Sequence, residues 1–201
     1  MNERQQVEKT LEHQKKELTK ALGTRRGIET MFRSAYRVQM DLTGLADNKA
    51  NMMISINGII ISIIIAAVAP KLDSNPWLLL PSTVILLGTM ISIIFAILAA
   101  RPRVSSVPIT LEDLEGSQGN ILFFGDFANL SEDEFLRGMT KLIEERTVLY
   151  ETMIRNLYGL GSVLKKKFRL LQMAYTSFML ALIIGVSSFI FVFVRILQMT
   201  S

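Results

Sequence analysis

Few residues of this chain are equipped for chemistry. Among its 201 residues there is one histidine, His13, and no cysteine. That inventory excludes a disulfide scaffold, a thiolate metal or redox site and a histidine-rich metal centre. Carboxylates are plentiful at Glu112–Glu115 and Asp133–Glu145, but they lie in a loop or on a helix surface without histidine partners, as solvated faces do. No Walker lysine loop, metalloprotease helix, nucleophile elbow or kinase signature is present. The chain is expected not to be an enzyme and to use no metal or catalytic cofactor. Binding chemistry remains. Arg25, Arg26, Arg33, Arg37, Arg146 and Arg155 carry the planar guanidinium that grips phosphate bidentately, in competition with local acids and anionic lipid headgroups. The best candidates for a phosphate are Arg33 and Arg37. The polar cluster Asp47, Asn48, Lys49 and Asn51 reads as an interfacial collar or as a hinge or ligand contact. The Gly116–Gly119 string GSQG would cradle a phosphate only ahead of a helix N-terminus, and none clearly follows. The basic residues form no stripe interleaved with exposed aromatics, which argues against nucleic acid.

The elements that must position these groups are dominated by lipid. Half of the residues are hydrophobic and the mean hydropathy is +0.35. The excess sits in three stretches without Asp, Glu, Lys or Arg: Ala50 to Pro70, Pro76 to Ala100 and Leu170 to Val194. Each has the roughly 20 residues that carry an α-helix across a bilayer. The polar first 49 residues do not read as a signal peptide. Arg33, Arg37 and Lys49 precede the first span, Arg101 and Arg103 follow the second, and Lys165, Lys166, Lys167 and Arg169 precede the third, against Lys71 and Arg195 on the other side. The cation bias predicts that the N-terminus and the 101–169 segment lie in the cytoplasm and the C-terminus outside. Trp77 suits an interfacial anchor.

Small residues recur four apart in the spans: Gly58, Ser62 and Ala66; Gly88, Ser92, Ala96 and Ala100; Ser177, Ala181 and Gly185. Such rows let helices approach closely where lipid provides no hydrophobic drive, so they predict a packing seam. The competing reading is a wet pore lined by Ser and Asn57. No ionisable group lies within a span, which argues against a proton relay, a charged selectivity ring or a voltage sensor.

Residues 1–27 read as a polar helix or leader with a weak heptad seam at Val7, Leu11, Leu18 and Ala21. From Ile28 an apolar stripe (Met31, Phe32, Ala35, Val38, Leu42, Leu45) runs toward span one with no proline before Pro70. The Pro- and Gly-rich segment Pro102–Leu130 predicts a compact loop with a short helix near Leu111–Glu115. Ser131 and Glu134 then form a capping box, followed by a helical stripe from Phe135 to Phe168. A straight helix of about 40 residues there is roughly 60 Å long, with Gly159 and Gly161 as places to bend. The expected fold is an all-α integral membrane protein, three transmembrane helices with long cytoplasmic helical extensions packed as a stalk. Three spans are few for a monomeric pore, so a homo-oligomer is expected.

The strings MFRSAYRVQMDLTGLADNKANMMISINGIIIS, FAILAARPRV, NILFFGDF and LYETMIRNLYGLGSVLKKK resemble the bacterial Pycsar effector transmembrane domain, over roughly residues 28–197. In some relatives that domain follows an HD-type phosphohydrolase domain, whose clustered ligands one histidine cannot supply. The resemblance implies an anti-phage membrane effector that responds to cyclic UMP or cyclic CMP from a partner cyclase and impairs the inner membrane, halting the host. An alternative is a non-gated adaptor whose stalk recruits a soluble partner.

Overall fold

The computed structural model describes residues 25–102 and 121–200. The heptad leader, His13, the helix expected near Leu111–Glu115 and the GSQG string lie outside the described residues. Every apolar stretch is helical, because a backbone in lipid has no water to bond and must satisfy its N–H and C=O groups within itself.

Helix α1, Arg25–Val68, runs 44 residues without interruption. The stripe from Ile28 and the first span are thus one rod of about 66 Å. Pro70 ends it: two short 3-10 turns, Ala69–Lys71 and Pro76–Leu78, reverse the chain, tied by Asn75 N–H to Lys71 O at 2.9 Å and Leu78 N–H to Asn75 O at 3.1 Å. Helix α2, Leu79–Ala100, returns over 22 residues. It stops where Arg101 takes φ −55° and ψ 128°, the extended geometry that a following proline, here Pro102, imposes on its neighbour.

After a single helical turn at Phe124–Phe127, helix α3 spans Glu132–Glu144. Its start is the capping box: Glu134 N–H donates to the Ser131 hydroxyl at 3.4 Å, and Ser131 N–H donates to the Glu134 carboxylate at 2.9 Å. The stripe expected to continue unbroken from Phe135 to span three is divided at Glu145, whose φ of −99° and ψ of 87° end α3. Glu144 and Glu145 place two carboxylates at the negative end of the helix dipole, where they disfavour continuation. Helix α4 then runs from Arg146 to Thr200, 55 residues, and passes Gly159 and Gly161 without leaving helical geometry.

The three long helices pack mutually, α2 most extensively on α4. Their core is thin and built in layers. Ala50, Ala99 and Leu171 form one, and Met53, Ala96 and Ala174 the next. Further along, a Cβ on Gly88 would lie 2.2 Å from the Ala181 Cβ, and one on Gly185 would lie 2.1 Å from Ile85 Cγ1. Only glycine allows α2 and α4 to approach so closely. Span one behaves differently. No residue of α1 beyond Asn57 is buried, and a Cβ on Gly58 would meet nothing within 4 Å. Large apolar side chains such as Ile63, Ile94 and Ile184 point outward along all three spans, as suits a hydrocarbon solvent. The protein is an all-α membrane protein of three long apolar helices, two of which continue as extensions beyond the span ends that carry the arginines and lysines.

Candidate functional site

The extensions of α1 and α4 meet in a short aromatic and polar junction. Phe32, 4% exposed, stacks on Tyr150 with ring centroids 6.1 Å apart and planes at 21°. One turn along α1, the Tyr36 hydroxyl donates to the Met153 carbonyl at 2.9 Å. Burial raises the Tyr36 pKa above its ordinary 10.0, partly offset by a hydrogen bond with the side chain of Asn156, itself buried. The phenol therefore stays neutral and remains a donor at physiological pH.

Beside this junction lies a cleft of about 510 Å³ lined by Glu29, Arg33, Tyr36, Ile143, Leu149, Tyr150 and Met153. That size falls within the roughly 300–1,000 Å³ usual for small-molecule sites. Its walls come from α1, the end of α3 and the start of α4. Apolar side chains and two aromatic rings line it, with one acid and one guanidinium a helical turn apart on α1. Rings to stack on and a guanidinium beside them are groups that suit a small planar anion.

Below the cleft, toward the membrane, Lys167 Nζ donates to Asp47 Oδ1 at 2.5 Å. The Lys167 side chain is 8% exposed and that of Asp47 37%. The pair joins α1 to α4 where both enter the apolar zone, and of the Lys165–Lys167 run only Lys167 turns inward. Deeper still, Asn57 Nδ2 donates to Met53 O at 2.7 Å and to Ser92 Oγ at 3.0 Å, and Ser92 Oγ donates to Ala174 O at 2.9 Å. All three spans are linked at that level.

The structure distributes the expected site residues over several places. Arg33 lines the cleft and Arg37, one turn on, lies outside its lining; both are exposed. Asp47 belongs to the ion pair, about 21 Å along the helix from Arg33, while Asn48 and Lys49 are exposed. Arg155 pairs with Glu151 at 2.7 Å on the surface. Of the seam residues, Gly88, Ser92, Ala96, Ala181 and Gly185 meet between the helices, whereas Gly58, Ser62 and Ala66 lie on the uncovered part of span one. The Ser62 hydroxyl bonds only its own helix, donating to Gly58 O at 2.9 Å. Sequence reasoning missed Tyr36, Tyr150 and Asn156, although tyrosine and asparagine within an aliphatic helical stripe are a signal that something polar is met there. It also missed Lys167, hidden in a run that reads as a membrane-flanking cation cluster. Among the described residues, no group of three or more His, Asp or Glu side chains is placed to hold a metal ion.

No curated protein and no solved structure matches the chain. The family model described as the Pycsar effector protein domain matches residues 30–194, which takes in all of the cleft lining but Glu29 and reaches the end of the third span. With that match covering most of its length, the chain belongs to the Pycsar effector protein domain family.

Proposed function

We propose that this protein is the membrane effector of a bacterial anti-phage system, which answers a cyclic pyrimidine nucleotide by impairing the inner membrane. The observation that carries this reading is the cleft between the extensions of α1 and α4, since these two of the helices that wall it continue without a break into spans one and three. In this reading the base stacks against Tyr150 and Tyr36, Arg33 holds the cyclic phosphate, and Glu29 accepts from the sugar or base. A ligand shifts a conformational equilibrium only through different affinities for its two states. A cleft shared by two continuous rods provides that difference, because separation of the rods changes the cleft. The Asp47–Lys167 pair transmits the change to the spans. The extensions lie in the cytoplasm, following the cation bias, and the assembly is a homo-oligomer, since three thin spans enclose little space.

Purified protein in liposomes containing a self-quenched dye tests this. Cyclic UMP or cyclic CMP is expected to release dye, and Arg33→Gln is expected to raise the nucleotide concentration required by about 10- to 100-fold, the worth of one charged hydrogen bond. Unchanged permeability with both nucleotides would sink the reading. The adaptor alternative draws on Ile154 and Tyr158, 58% and 80% exposed on α4, a face suited to a soluble partner. A nucleotide-independent protein complex that caused no leak would favour it.

A further inference from the structure

Asn57 is the last fully buried residue of α1. It has no exposed surface, and its amide is the start of a relay of donations that crosses to Ser92 on α2 and ends on the Ala174 carbonyl of α4. On one side of this tie the helices are packed through Met53, Ala96 and Ala174. On the other, Gly58 faces open space while α2 and α4 remain in contact at Gly88 and Ala181. The tie is incompletely satisfied: Asn57 Oδ1 is fully buried and has no hydrogen-bond partner. An unpartnered amide oxygen among apolar side chains is unfavourable, and hydrogen bonds between membrane helices contribute little net stability. The link is therefore weak, and its open acceptor would be satisfied by water as soon as span one moves away.

We propose that the Asn57–Ser92 link is a releasable latch. While it is closed, span one is fastened to span two on the side of the spans nearer the extensions; when it opens, span one pivots outward and its amide and the Ser92 hydroxyl become hydrated, seeding a polar path into the apolar core. The pivot rests on the packing alone. Only its consequence for permeability rests on the proposed effector function.

The natural chain has no cysteine, so spin labels can be placed at will in full-length protein in liposomes. One pair at Ile63→Cys and Leu87→Cys reports span one against span two. A control pair at Leu87→Cys and Ile183→Cys reports α2 against α4. Ser92→Ala, which removes both bonds of the relay with little change of volume, is expected to shift the Ile63→Cys to Leu87→Cys distances toward longer values. The open-to-closed ratio should rise by about 3- to 20-fold, while the control pair stays unchanged and so verifies the fold. Asn57→Ala should act in the same direction from the other helix. Unaltered distances between spans one and two in both variants would overturn the latch, even in vesicles that leak with nucleotide. Longer distances without any leak would support the latch and count against the effector reading.

Discussion

At the residue scale, the small side chains of the spans have different neighbours despite equal spacing. A methyl on Gly88 collides with Ala181, whereas one on Gly58 meets nothing within 4 Å. Gly88→Ala should therefore destabilise the bundle by about 1–3 kcal/mol, the usual cost of overpacking, and Gly58→Ala should leave it unchanged, as measured by thermal unfolding in detergent. A second contrast concerns Lys167. Removing one member of a buried ion pair leaves the other uncompensated, but Asp47 retains access to water and the loss is reduced accordingly. Lys167→Met is expected to lower stability by about 1–3 kcal/mol, and adding Asp47→Leu should restore much of it. A double-mutant cycle with no coupling between the two positions would show that the pair does not join the helices.

At the scale of the elements, α3 depends on its cap. Hydrogen bonds from the Ser131 side chain and backbone hold the Glu134 carboxyl below its usual 4.5, with Arg137 adding a smaller attraction. A lowered pKa in the folded state means that the ionised form is the one the fold favours. The contribution is present above pH 4.5 and lost as pH falls through the lowered value. Protection against hydrogen exchange across the first turn of α3, taken relative to the unprotected amide rate at the same pH, should fall under acid conditions, and Ser131→Ala should give similarly low protection already at pH 7. The same element shows how local chemistry decides length. Phe135 to Phe168 keeps one apolar period, yet the chain breaks at Glu145, where adjacent carboxylates meet the end of a helix. Gly159 and Gly161, the residues with the freest backbones, do not break α4, because neighbouring turns supply every hydrogen bond a continuous helix needs.

At the scale of the molecule, α1 and α4 each begin at the cleft and end in the membrane. In the proposed function that continuity couples the two regions. Gly44→Pro, placed between Arg33 and the first buried layer of the spans, removes a helical hydrogen bond and kinks α1. Nucleotide binding measured by calorimetry should survive this change while the dye leak is lost; retention of both would mean that the signal does not travel through α1.

The sequence by itself determined the membrane architecture, since charge-free stretches longer than a bilayer is thick have only one way to satisfy their backbones. It also determined the capping box and the termination of α2 ahead of Pro102, which depend on residues within one helical turn of each other. The family was legible from strings such as ADNKAN. Only the tertiary structure decided which small residues touch, because identical spacing on two helices says nothing of how the helices are rotated or where the full burial of one of them ends. It likewise placed Arg33 with Tyr150, Asp47 with Lys167 and Asn57 with Ser92. Two of these three pairings join residues more than a hundred positions apart, and the third reaches across the hairpin between spans one and two. No periodicity along the chain encodes the partner of a side chain that reaches it only when separate rods are laid side by side.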